Sequence, residues 1–164
     1  MDNKIYLTDE GLEEFKNEIN NLKVKLSKIQ TEKSEAYAGA VGDGWHDNFA
    51  YEDAKRHEDT VVAQINYLVE QSNYIELIKI ECLDENKVNI NDMLELEFIY
   101  EDGSRDVDKF KFTGNWKSKD CDEYQEITLN SPLGKSIYKK ELNSSIKYTV
   151  NEKTIVVNIL KKSF

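Results

Sequence analysis

Leu12, Phe15, Ile19, Leu22, Leu26 and Ile29 recur at alternating steps of three and four, and nearly every position between them is polar. That spacing predicts one long amphipathic helix with a coiled-coil seam. Thr8 is a suitable N-cap, and Asp9 and Glu10 bring negative charge to the first turn, where the helix dipole favours it. The pattern runs to about Ala40. A helix of that length is a rod of roughly 48 Å. Gly39, Gly42 and Gly44 then break it. A second stripe begins near Asp47 with Tyr51, Ala54, Val61, Ile65, Leu68 and Ile75, broadened by Val62 and Val69. Two such helices joined by a glycine-rich turn predict an antiparallel hairpin. Lys33, Ala36, Ala40 and Ala54 thin its seam towards the turn.

Beyond residue 80 the period changes from helical to alternating. Leu94–Tyr100 and Val107–Phe112 read as strands around a turn at Glu101–Ser104. Glu126–Leu129 is a third strand. Ser131 and Pro132 then suit the cap and first position of a short helix through about Tyr138. Ile146–Val150 and Thr154–Leu160 form a terminal hairpin. The expectation is an α+β chain: a coiled-coil hairpin over 1–79, and an antiparallel sheet with one short helix over 80–164.

Composition narrows the function classes. The chain has 164 residues and a formal charge of -10, of which -7 falls in residues 1–80. A general nucleic-acid coat needs surplus cations, so that class is disfavoured. No run is apolar and long enough to span a bilayer, and the N-terminus lacks the apolar core of a signal peptide, which predicts a cytoplasmic protein. Cys82 and Cys121 have neither a metal-binding spacing nor a disulfide framework, and are expected as reduced thiols. There is no phosphate loop, no nucleophile elbow and no H-E-x-x-H motif.

The unusual chemistry sits in the turn. Asp43 and Asp47 lie close together, beside Trp45, His46, Asn48, Phe49 and Tyr51. Aromatic rings at the end of a rod are costly to leave in water. Phe49 and Tyr51 can also be read as stapling the second helix to the first, with Asp47 as its cap and Asp43 as an ordinary turn aspartate. Two carboxylates alone make a poor tight metal site, but they suit completion of a site belonging to another protein. A free-standing hydrolase built on Asp43, His46 and Asp47 is disfavoured, because one short turn supplies neither supporting ligands nor a substrate pocket.

Three stretches resemble the Gre family of bacterial transcription factors. They are Leu7-Thr8-Asp9-Glu10-Gly11 with Leu12, Phe15 and Glu18; Gly42-Asp43 with Asn48 and Tyr51; and Asn130–Ile137, which is similar to the family signature S-P-x-[AG]-x-A-[LI]. They occur in the family's order and separations. The resemblance implies a hairpin that enters the secondary channel of RNA polymerase and an FKBP-like sheet domain that docks at the rim through Ser131, Pro132, Leu133 and Lys135. It implies that Asp43 and Asp47 hold Mg²⁺ jointly with the polymerase, so that backtracked RNA is hydrolysed by the polymerase's own centre. The factor is then a regulator rather than an enzyme, a monomer when free, and has no metal of its own. The nascent RNA 3′ end is a further implied partner, with Lys23, Lys25, Lys28 and Lys33 as its candidate contacts, although these four do not share one helical face.

The tip departs from the family pattern. The family spaces its acids as D-x-x-E-N, whereas Asp43 and Asp47 are four apart and the second acid is one methylene shorter. Two outcomes stay open: stimulation of transcript cleavage, and inhibition of polymerase without cleavage. A coiled-coil adaptor unrelated to polymerase is the reading from another class.

Overall fold

A computed structural model describes residues 4–39, 49–80, 84–119, 121–150 and 153–163. The chain forms two compact units. One is Phe15–Ile75; the other joins Met1–Glu14 to Glu76–Phe164.

The first unit is built on α1 (Asp9–Gly39) and α2 (Phe49–Ser72). Every member of the predicted α1 stripe is buried or half-buried, and most residues between them are exposed. Gln30 Nε2 donates to Glu58 Oε1 at 3.0 Å, Lys33 pairs with the same carboxylate, and Tyr37 meets Tyr51. Positions rise along one helix as they fall along the other, so the pair is antiparallel. Ala54, Val61 and Leu68 form the buried side of α2. Val62 and Val69 do not broaden the seam: they are 37% and 50% exposed, one position past the buried residues and turned to solvent. Ile75 is not helical either. The helix closes at Ser72, whose hydroxyl donates to the Val69 carbonyl, and Ile75 opens a strand.

The other unit opens with β1 (Ile5–Leu7), which pairs with β2 (Ile75–Leu77). Neither strand was signalled by periodicity. Five strands follow: β3 (Met93–Ile99), β4 (Arg105–Thr113), β5 (Gln125–Thr128), β6 (Ser145–Val150) and β7 (Lys153–Ser163), in the order β5-β4-β3-β7-β6. All neighbours are antiparallel except β4 and β5, which run parallel. The sheet is therefore mixed rather than wholly antiparallel. Residues 114–124 are long enough to carry the chain back before β5 enters alongside β4 in the same direction. Leu94, Leu96, Phe112, Val157 and Ile159 are fully buried on one face, and α3 (Pro132–Ile137) adds Ile137 to that core.

Thr8 caps α1 as expected: its hydroxyl accepts the Gly11 N–H at 3.2 Å, and its N–H donates to the Gly114 carbonyl at 3.1 Å. A Cβ on Gly11 would lie 2.2 Å from the Gly114 oxygen, so only glycine permits this approach.

Candidate functional site

Two regions carry the chemistry suggested by the sequence. At the distal end of the hairpin the structure places Phe49 and Tyr51. Asp43, Trp45, His46, Asp47 and Asn48 lie outside the described residues. Tyr51 packs obliquely on Tyr37, with ring centres 6.0 Å apart, which is the stapling role. Phe49 does not staple: it is 75% exposed, with the Arg56 guanidinium 5.8 Å above its ring. Arg56 and His57 both approach Asp53, at 3.5 and 3.7 Å. One turn further along, hydrogen bonds from Lys33 and then Gln30 hold the Glu58 carboxyl below its ordinary pKa, and the same carboxylate raises that of Lys33. Lys33 is thereby engaged in holding the helices together, while Lys23, Lys25 and Lys28 are exposed.

The second region surrounds α3. Ser131 is its N-cap, accepting the Gly134 N–H at 2.9 Å, while its own hydroxyl donates to the Thr128 carbonyl at 2.7 Å. Pro132 follows, where a missing N–H costs nothing. Gly134 is buried against Thr128, and a Cβ there would lie 2.0 Å from the Thr128 oxygen. Leu133 packs against the core and Lys135 is exposed. Asn130, just before the cap, uses both ends of its amide on strand β1. It accepts the Tyr6 N–H and donates to the Tyr6 carbonyl, each at 2.8 Å.

That clamp builds a cleft of about 760 Å³. Tyr6, Ile78, Leu129 and Tyr138 supply its apolar lining, and Lys4, Lys135 and Lys139 its cations. Lys4 is paired with Glu76 at 2.6 Å, and Lys139 Nζ sits 5.3 Å from the centre of the Tyr138 ring. Lys139 is held at φ +58°, a left-handed conformation that favours glycine. Its N–H donates to the Val88 carbonyl at 3.0 Å, which fixes that geometry. The cleft suits an apolar projection flanked by anionic groups. Lys135 was legible in the sequence, but Lys4, Tyr6 and Ile78 were not, because they reach the cleft from segments distant from α3 in sequence. Among the described residues no group of three or more His, Cys, Asp or Glu side chains could hold a metal ion, and no helix is long and apolar enough to cross a membrane. Cys121 is a free, exposed thiol, and Cys82 lies outside the described residues.

No family model matches the chain. It is 29% identical over 144 residues to transcription elongation factor GreA of Thermosipho melanesiensis, covering 87% of this chain and 86% of the relative. GreA of Thermosipho africanus gives 28% over the same length, with the same coverage. The chain is Gre-like. Among solved structures, transcription factor Gfh1 aligns with all of this chain at 15% identity and a TM-score of 0.45. In this Gre-like chain the N-terminal and C-terminal motifs fold into one unit. Tyr6, next to Leu7-Thr8, is gripped by Asn130, next to Ser131-Pro132, across 124 positions of sequence.

Proposed function

We propose that this Gre-like chain is a transcription elongation factor that regulates bacterial RNA polymerase and is not itself an enzyme. The observation that carries the reading is the joining of the two family-like motifs around one lysine-rimmed apolar cleft. That cleft is the docking surface for the polymerase, with Ser131, Pro132 and Leu133 shaping α3 beside it and Lys135 and Lys139 meeting acidic groups on the partner. The hairpin enters the secondary channel and carries Asp43 and Asp47 towards the catalytic centre.

The donor chemistry fits a shared Mg²⁺. Carboxylate oxygens are hard ligands, and Mg²⁺ is held by one or two of them together with waters and phosphate oxygens. A Mg²⁺ in such a centre supplies phosphate polarisation and a water of lowered pKa. Asp43, between two glycines, offers its carboxylate from the turn, and Asp47 offers the second. Trp45 and Phe49 present apolar surface to the channel, and His46, Asn48 and Tyr51 complete the tip. A second reading, binding with inhibition and no cleavage, is favoured by the four-residue spacing of the acids.

The test is a backtracked elongation complex with purified polymerase. The wild-type protein should bind and either stimulate cleavage or slow elongation. Asp43→Asn with Asp47→Asn should bind normally and lose that effect. Lys135→Glu with Lys139→Glu should lose binding. A wild-type protein that neither binds polymerase nor changes transcription overturns the reading and leaves the adaptor.

A further inference from the structure

Strand β4 is longer than the neighbour on its outer side. β5 pairs only with Phe110–Thr113, so among the described residues nothing pairs with the outer edge of residues 105–109. All five of these residues are exposed. The hydrogen-bond alternation fixes which backbone groups they present. Tyr100 N–H donates to the Ser104 carbonyl, and Phe112 N–H donates to Asp92, so even-numbered β4 residues bond towards β3. Leu129 N–H donates to the Thr113 carbonyl, so odd-numbered residues point the other way. Arg105, Val107 and Lys109 therefore offer N–H and C=O groups at regular spacing along an open edge.

The side chains define what fits there. Asp106 and Asp108 share the face of Phe110 and Phe112 and stand opposite Phe98 and Leu96 of β3, at the exposed rim of the core. Asp106 accepts a hydrogen bond from the Tyr100 hydroxyl, but neither acid has an ion-pair partner among the described residues, and the nearby Arg105 is bonded to Glu97 at 3.2 Å. Val107, on the opposite face, is 52% exposed. A second copy is poorly matched. With the cores on one side and the pairing centred on Val107, Asp106 would face Asp108 and Arg105 would face Lys109, and like charges directly opposite are destabilising. Shifting that register by one pair sets Asp106 against Asp106 or Asp108 against Asp108.

We propose that this edge takes an extended segment of another protein by strand addition, the segment alternating basic, apolar and basic residues. Backbone pairing to Arg105, Val107 and Lys109 would supply the affinity, and cations opposite Asp106 and Asp108 the selectivity. The acids that turn away a second copy select the partner. The inference is independent of the polymerase reading.

The test uses the full-length, ¹⁵N-labelled protein and three hexapeptides: alternating lysine and valine, alternating glutamate and valine, and lysines and valines in two blocks. The alternating lysine peptide should slow amide exchange at Arg105, Val107 and Lys109. The other two should not. Asp106→Asn with Asp108→Asn should weaken that peptide's binding about tenfold, as loss of two cross-strand ion pairs implies. Three results overturn the proposal: no protection at those amides, equal protection by the blocked peptide, or concentration-dependent protection without peptide, which would assign the edge to self-pairing.

Discussion

Gly134→Ala isolates the step on which the geometry of α3 depends. The added Cβ would lie 2.0 Å from the Thr128 oxygen, 2.9 Å from its carbon and 3.0 Å from Ser131 Oγ, where ordinary contacts begin at 3.4 Å. The first two atoms are backbone, so the helix or the end of β5 must shift by more than an ångström. That shift disturbs two bonds of the cap, from Gly134 N–H to Ser131 Oγ and from that hydroxyl to Thr128. It also strains the seat of Ile137, which is fully buried. Overpacking costs about 1–3 kcal/mol and loss of a cap about 1 kcal/mol, giving roughly 2–4 kcal/mol in all. Ser131→Ala removes the cap alone and should cost about 1 kcal/mol. Urea unfolding followed by tryptophan fluorescence measures both, in a Trp45→Phe background where Trp116 is the remaining tryptophan. With a urea slope of about 1–3 kcal/mol per molar, the glycine variant should lower the midpoint by roughly 1–2 M. A Gly134→Ala midpoint equal to that of wild type, or to that of Ser131→Ala, would refute the close-approach argument.

Other perturbations probe the remaining parts. The Glu58 carboxyl has a pKa below its unfolded value, so its contribution to the hairpin is present above about pH 4.3 and lost as pH falls through the folded value. Helicity at 222 nm should therefore weaken on acidification in wild type, and the part due to this group should be absent in Glu58→Gln. Thr113 is 2% exposed and its hydroxyl has no hydrogen-bond partner among the described residues. Thr113→Val should thus stabilise the sheet unit by about 1 kcal/mol in the same urea assay, and a destabilised variant would show that the hydroxyl is satisfied. Lys139→Gly should relieve the left-handed backbone and raise stability by up to about 1 kcal/mol, yet weaken polymerase binding in a pull-down. A loss of both would assign Lys139 a packing role only.

The hairpin was legible because burial in α1 follows its three-four spacing residue by residue. Val62 and Val69 misled because a valine one position beyond a buried residue reads as a wider stripe, whereas burial depends on the partner helix's reach. Ile75 fell on the helical period seven positions after Leu68, and only the chain's closure at Ser72 separates it from α2. The direction of β5 is not encoded in alternation, which is the same for parallel and antiparallel neighbours. The cleft was half legible. Ser131, Pro132 and Lys135 announce a capped basic helix, but nothing local links Asn130 to Tyr6, whose amide and carbonyl it holds from 124 positions away.

The pairing of β1 with β2 gives the hairpin the standing of an insertion. The strands on either side of residues 15–75 meet each other, and Ile78 N–H donates to the Leu7 carbonyl at 2.8 Å. The first strand therefore finds its partner in the residues that follow the hairpin in sequence, and that pairing uses no residue of the hairpin's turn. During synthesis the ribosome finishes the rod before Asn130 exists to clamp Tyr6. The chain's first strand therefore waits unpaired by Asn130 until most of the protein has emerged.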